Sequence, residues 1–490
     1  MAQFSYSNIA AIYLAVTFVY ISYKLVHRAF FTPLRGIPGP WHAAFVNWRL
    51  KIAVLSGSRA DYIHALHQKY GPIVRITPNE VAVNDPASFK DIHKIGSGFT
   101  KTPWYEYLST SGPGKSPGVF QMTNPKDHAA RRKFLAKGFS QRHLREQWEN
   151  VVRERVNMAV ARIKADATSG TADILKWWTY LATDVSAHLM FGESFHMLES
   201  GARVPYIVAL ETASICSAIS WELPLVYWIG RRLPFAATRD IFYANEVLLD
   251  QGRLAVKNSK AQDFGTSNIF ATAISESEKG DGTLTDEDIQ AEAGNLIVAG
   301  SDTTGITLTY LTWCVLKQPA LQKALEEEVR AADGLLTDAS LEQLPILNAV
   351  IEETLRLYGA APATLPRLTP KGGITLANHF IPAGTIVGTQ SYSLHRDPQL
   401  FPNPDKFDHT RWLSPNELSP LAKAVFAPFG AGSRICIGLH LARMELRLAT
   451  ATFFRECKGA RLAASTTDES MKPVNHFLIA PKAHKCEIVL

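Results

Sequence analysis

Phe429-Gly430-Ala431-Gly432-Ser433-Arg434-Ile435-Cys436-Ile437-Gly438 is the most informative stretch of this chain. A lone cysteine is usually a small buried hydrophobe, but the neighbours of Cys436 suit it to another task. It stands just before a helical run, Leu439-His440-Leu441-Ala442-Arg443-Met444-Glu445-Leu446. The free N–H groups and positive dipole end of that helix would stabilise a thiolate. Gly430 and Gly432 permit a tight turn at positive φ, and Gly438 lets a flat ligand approach the backbone. Arg434, two residues before the sulfur, can pair with an acidic edge of that ligand. Thiolate, glycines and arginine together are what a haem with its propionates requires.

Composition bounds what surrounds this loop. The 490 residues are 46% apolar and 20% charged, enough for a large core and too apolar for a disordered chain. Fifty-one Lys+Arg against 45 Asp+Glu leave a net charge of +6, spread along the chain, so a nucleic-acid binder is not indicated. The five cysteines (216, 314, 436, 457 and 486) are scattered and never form C-x-x-C. That pattern disfavours a disulfide-built secreted protein and any multi-cysteine metal site.

Residues 1–23 carry no charged side chain, and an apolar run extends from Ile9 to Val26. As a helix rising ~1.5 Å per residue, that run is ~27 Å long, close to the thin endoplasmic-reticulum bilayer. Lys24, His27, Arg28 and Arg35 cluster at its C-terminal side, which places the remaining chain in the cytoplasm. No basic segment precedes the run and no small-residue cleavage site follows it, so an anchor fits better than a signal peptide. Residues 1–28 are therefore expected as a single-pass anchor and 29–40, with Pro33, Pro38 and Pro40, as a stiff hinge. Residues 41–490 are expected as one body.

Helical periodicity marks 143–166, 173–191, 239–260, 285–316, 318–332, 341–357 and 437–455. Short strands are expected at Ile73–Thr77, Glu80–Asn84, Ile374–Leu376 and Thr385–Thr389. The fold class is mainly α, a single large helical domain with small sheets behind the transmembrane helix. Gly112-Pro113-Gly114-Lys115-Ser116 imitates the end of a phosphate loop, but Ser109 replaces its first glycine and Pro117 blocks the following helix. Ser275–Gly282 is a polar surface turn.

Three further motifs accompany the cysteine loop. Ala299-Gly300-Ser301-Asp302-Thr303-Thr304 interrupts an apolar helix that Thr285 and Asp288 open as a capping-box variant; on its own, such a run can simply back-bond to helix carbonyls. Glu353-Thr354-Leu355-Arg356 puts Glu353 and Arg356 on one helix face, alone an ordinary surface pair. His128-Ala129-Ala130-Arg131-Arg132 lies on a basic amphipathic helix. With these, the chain resembles the cytochrome P-450 family of haem-thiolate monooxygenases. Its loop fits that family's F-G-x-G-x-R-x-C-x-G signature at all six fixed positions.

The resemblance runs from Pro38 to the C-terminus and implies the cytochrome P-450 fold with haem b. Cys436 is then the axial iron ligand, in a loop with Phe429, Gly430, Arg434 and Gly438. Ala299 and Gly300 lie at the haem, with Gly300 making room for oxygen; Thr303 is the proton-delivering hydroxyl, and Asp302 connects it to the proton supply. Arg132, His128 (where many members have Trp) and Arg367 are the propionate candidates. Glu353, Arg356 and Arg411 form a buried network, although His409 and Thr410 depart from the family's P-E-R. The implied reaction inserts one atom of O2 into a medium-sized hydrophobic substrate, and overall likeness is greatest to fungal enzymes of specialised terpenoid, polyketide or alkaloid metabolism.

No flavin or nicotinamide motif exists in the chain, so the resemblance implies electrons from NADPH through a membrane-bound NADPH–cytochrome P-450 reductase. Arg131, Lys133, Lys137, Arg142 and Arg443 are the expected docking face. The pocket is expected from residues 99–122, 205–240 and 296–304, Ala360–Leu365 and the turn near Asn475–Leu478. Two rival readings share the cysteine: a haem-thiolate isomerase or dehydratase that needs no O2, and a non-catalytic haem binder.

Overall fold

The segment expected as a helix over 285–316 is the axis of the fold. The computed structural model describes residues 6–108, 116–260, 268–270, 285–332, 334–415 and 418–490, and in it this segment is one helix, Asp286–Leu316. Thr285 Oγ1 accepts the Asp288 N–H and Asp288 Oδ2 accepts the Thr285 N–H, each at 3.1 Å, so the capping box forms. Ile297, Leu308, Leu311 and Val315 are buried in the main core with Trp178, Phe453 and Phe454. Helix Ile174–Phe191 packs alongside, and two glycines set its distance. A Cβ at Gly305 would lie 2.9 Å from Thr179 Cα, and one at Gly300 would lie 2.2 Å from Ser186 Oγ. Each helical glycine costs roughly 1 kcal/mol against alanine, which close packing offsets.

The other elements follow the periodicity, with their ends moved by local breakers. The run at 143–166 divides at Trp148 into Gln141–Gln147 and Glu149–Ser169, and that at 239–260 divides at Tyr243 into Ala236–Phe242 and Ala244–Lys260. The run at 341–357 starts as a helix at Pro345, a residue suited to the first helical position because it has no N–H to satisfy. All four expected strands form, and among the described residues eight more of two or three residues join them. Such pairs are too short to show alternation. The principal sheet runs Ile73–Thr77, Glu80–Val83, Ile386–Gly388, Arg367–Leu368, Thr100–Lys101, and its last pairing sets Lys101 opposite Arg367. The phosphate-loop imitation (except Ser116) and the polar turn at 275–282 lie outside the described residues.

The N-terminal helix is Tyr6–Phe30, and the window from Ala10 to Phe30 is long and apolar enough to cross a membrane. The segment expected as a hinge is seated in the body. Leu34 and Ile37 pack with Ile73, Val81 and Val387, and the Arg75 N–H donates to Pro38 O at 2.8 Å.

Glu353 and Arg356 form the buried centre of the cysteine side of the molecule. On helix Pro345–Tyr358 they make a two-pronged pair, Nε to Oε2 and Nη2 to Oε1, both at 2.8 Å, with neither side chain exposed. Glu353 also accepts Arg411 Nε (3.1 Å), Trp412 Nε1 (2.9 Å) and the Asp408 N–H (2.9 Å). Arg356 donates to the carbonyls of His395 and Pro404, both at 2.7 Å. The departures at 409–410 leave this intact because Asp408 caps the turn His409–Trp412, accepting the Thr410 N–H (3.1 Å) and hydroxyl (2.6 Å). Glu353→Gln leaves buried guanidinium charge unpaired and should cost about 3–5 kcal/mol in urea unfolding. Asp405→Asn, which removes the exposed partner of Arg396, should cost under about 1 kcal/mol.

Candidate functional site

The network continues into the cysteine loop through His395. Its Nε2 accepts the Ala427 N–H (3.1 Å), so Nδ1 carries the proton and donates to Arg356 O (3.2 Å). Burial, with the Arg356 and Arg396 charges, holds its pKa down to about 3, so it stays neutral. Ala427 O in turn accepts the Gly430 N–H at 3.0 Å. Gly430 (φ 73°) and Gly432 (φ 64°) then turn the chain, and a Cβ at Gly432 would stand 1.9 Å from His93 O. The Cys436 N–H closes the loop on Phe429 O at 2.8 Å.

Beyond Cys436, helix Leu439–Glu456 opens with no side-chain cap. Burial pushes the Cys436 thiol up, while the Gly438 N–H on its sulfur and the Arg132 charge pull it the other way. The other four cysteines are buried; Cys436 alone is exposed, facing a cavity of about 320 Å³. Among the described residues no cluster of three or more His, Cys, Asp or Glu could hold a metal ion, so a metal here would rest on this single sulfur.

One wall of the cavity is cationic. Lys101, His128, Arg132 and Arg434 line it, and Arg367 stands just behind. Arg434 donates to Met122 O (2.9 Å) and Arg132 to Ile435 O (2.7 Å), which fixes both guanidiniums. Burial and then the charges of Arg367 and Arg132 lower Arg434 to about 10, with the Tyr105 phenol opposing. Burial drives Lys101 well below its usual range, reinforced by Arg367 and Arg434. Burial with Arg434, Lys101 and Arg132 brings His128 down to about 3. Among the described residues no carboxylate offsets this group, which is costly unless an anionic ligand completes it.

Arg367 does not line the cavity; it donates to the Tyr105 hydroxyl and to Pro366 O (3.0 Å). Lys101 escaped sequence reading because it sits in a two-residue strand without a motif; its Nζ donates to Phe120 O and lies 4.3 Å from the Tyr105 ring.

The central helix supplies another wall, with Ala299, Gly300, Asp302 and Thr303 on the cavity. Ala299 is exposed there, and Gly300 lies on the cavity beside Ser186, whose Oγ a Cβ at Gly300 would meet at 2.2 Å. Thr303 Oγ1 donates to Ala299 O at 2.7 Å, and Ser301, Thr307, Thr309 and Thr312 back-bond in the same way. Asp302 lies near the buried Tyr206 phenol, which burial first and then the Asp302 charge keep un-ionised. Glu445 also escaped sequence reading. It is 1% exposed, reaches the cavity, bonds Thr304 and has no partner at Oε1; burial raises it to about 8, so it holds a proton at neutral pH. The expected substrate walls are present in Phe120, Ala213, Ala360, Leu365 and Phe477, and Asn245 and Leu248 add to them the helix Ala244–Lys260, which was not expected to line the pocket.

A family model described as Cytochrome P450 matches residues 38–488. This chain belongs to the cytochrome P450 family. It is 46% identical over 475 residues to cytochrome P450 monooxygenase stcB of Emericella nidulans, covering 95% of this chain and 90% of that protein. It is 44% identical to cytochrome P450 monooxygenase aflV of Aspergillus parasiticus (95% and 93%) and 35% identical to methylphloroacetophenone oxidase of Cladonia uncialis (77% and 85%). The P450 is a haem-thiolate monooxygenase, requiring O2 and an electron donor. Haem b fits the site: a lone sulfur opens on the cavity, and a basic rim without a carboxylate suits two propionates.

Lys101→Met should raise the rate of haem loss to a scavenging apoprotein about 10–100-fold, the value of one charge-assisted bond. Glu445 binds its proton more tightly folded (about 8) than unfolded (near 4.5), so its stabilisation is complete below pH ~4.5 and lost as pH rises through ~8. Glu445→Gln should therefore flatten the fall in unfolding free energy between pH 5 and 8.

Proposed function

We propose that this P450 hydroxylates, or otherwise oxidises by one oxygen atom, an aromatic oxygenated intermediate of fungal secondary metabolism. The carrying observation is that the Cys436 sulfur and the Ala299–Thr303 face of the central helix open on one cavity. Its apolar walls carry the aromatic rings of Phe120 and Phe477 beside the amides of Gln121 and Asn295, which suits a ring bearing phenol or ketone groups. The name of the Cladonia relative specifies a phenolic aryl ketone, in keeping with this lining.

Cys436 would ligate the iron, and Lys101, His128, Arg132 and Arg434 would hold the propionates. When bound, the haem supplies reductive activation of O2 with NADPH-derived electrons and transfer of one oxygen atom to substrate. The protein's part is to seat the substrate and meter protons. Thr303 Oγ1 releases its bond to Ala299 O and turns into the cavity as a proton donor, and the neighbouring Asp302, also on the cavity wall, resupplies it. The intact Asp302–Thr303 pair favours this over an O2-independent isomerase. Thr303→Ala should leave NADPH consumption within about threefold while diverting most electrons from product to hydrogen peroxide. Unchanged product yield per NADPH would contradict the assignment.

We further infer single-pass anchoring of Tyr6–Phe30 in the endoplasmic reticulum, with the body cytoplasmic and NADPH–cytochrome P450 reductase as donor. The expected docking face needs revision. Arg131 is tied to Asp288 and Glu292, and Arg443 to Glu352, so neither is a free charge for a partner. Arg142 is exposed but also paired, its Nε donating to Glu146 Oε1 at 2.8 Å, which leaves Lys133 and Lys137 as the exposed lysines of that set. Lys133→Glu with Lys137→Glu should slow reduction by the reductase at least about tenfold at low salt, and salt should erase the difference. Arg131→Gln should instead lower stability.

A further inference from the structure

Seven arginines are buried among the described residues, and five of them are paired with carboxylates: Arg59, Arg356, Arg396, Arg411 and Arg447. The two without an acidic partner are Arg367, behind the basic rim of the haem cavity, and Arg75. Arg75 is 4% exposed on strand Ile73–Thr77. Its Nη2 donates to Arg28 O and Pro78 O, both at 2.8 Å, and its Nε has no partner. Burial lowers its pKa, the expected sign for a cation without a counter-ion.

Arg28 and Pro78 both line a second cleft of about 680 Å³, between the last turn of the N-terminal helix and the small sheet. His27 and Arg28 contribute basic side chains there, Leu25 and Phe31 apolar ones, and Asn47 and Asn79 amides; no carboxylate lines it. Arg28 is exposed and has no carboxylate partner among the described residues.

We propose that this cleft binds the phosphate headgroup of an anionic phospholipid, with Arg28 at the phosphate and Arg75 as the buried charge behind it. The proposal rests on the anchor reading. The apolar run ends at Val26 and the window long enough to cross a membrane at Phe30, which puts residues 27–33 at headgroup depth. Phe31 (70% exposed), Trp41 (81%) and Trp48 (48%) beside it form the aromatic girdle expected there. The absence of an acidic side chain leaves nothing to receive a choline or ethanolamine cation, so the site selects a net negative lipid.

The test uses the full-length haem protein in nanodiscs of phosphatidylcholine, with and without phosphatidylinositol, reading the thermal midpoint and the lipid retained on purification. Phosphatidylinositol should raise the midpoint by several degrees and be enriched on the wild-type protein. Arg28→Gln should lose most of both effects with the thiolate ferrous–CO band unchanged. Arg35→Gln, an exposed charge outside the cleft, should keep them. Equal losses in the two variants would show diffuse surface attraction and overturn the site. The same stabilisation by millimolar inorganic phosphate in detergent would reassign it to free phosphate and overturn the lipid. Extraction from phosphatidylcholine vesicles by alkaline carbonate would overturn the anchor and the lipid site together, whereas retention without a phosphatidylinositol response would overturn the lipid site alone.

Discussion

One buried carboxylate, Glu353, has five donors on it: two from Arg356, one from Arg411, the Trp412 indole and the Asp408 backbone. Burying an ion pair seldom adds net stability, because desolvation consumes most of the Coulombic gain. Its value here is positional. Arg356 reaches His395 O, His395 fixes Ala427, Ala427 fixes Gly430, and the turn that follows delivers Cys436 to the cavity. Every link is a directional bond in low dielectric, so misplacing any one strands a buried polar group. That penalty allows a loop of glycines, otherwise free to wander, to hold a single sulfur in register.

The same logic explains the basic wall of the cavity. Lys101, Arg132 and Arg434 crowd together with His128 held neutral, an arrangement the protein alone makes worse rather than better. The cost is justified where an acidic ligand arrives to complete it, as the propionates of haem b would. Cavity and cofactor thus stabilise each other, and the folded chain without haem should be the strained member of the pair.

Much of this was legible in the sequence because it lay in local patterns. The ten-residue cysteine loop, the capping box at Thr285 and Asp288, and the Glu353–Arg356 spacing each carry their geometry within a few residues. Arg411 remained legible despite His409 and Thr410, since Asp408 supplies the cap by other means. What escaped depends on tertiary neighbours. Lys101 matters only because a two-residue strand pairs it with Arg367, and Glu445 only because its helix packs at Thr304. Arg131 looked like surface charge until helix Pro125–Ala136 docked on the acids at 288 and 292.

The account turns on Cys436 as the one ligand that this framework positions. The most direct measurement is the ferrous–CO absorption spectrum of Cys436→Ala reconstituted with haem b, beside the unaltered protein. Loss of the red-shifted thiolate Soret band, with the far-UV circular dichroism of the fold retained, is the predicted result. Retention of that band without the Cys436 sulfur would contradict it.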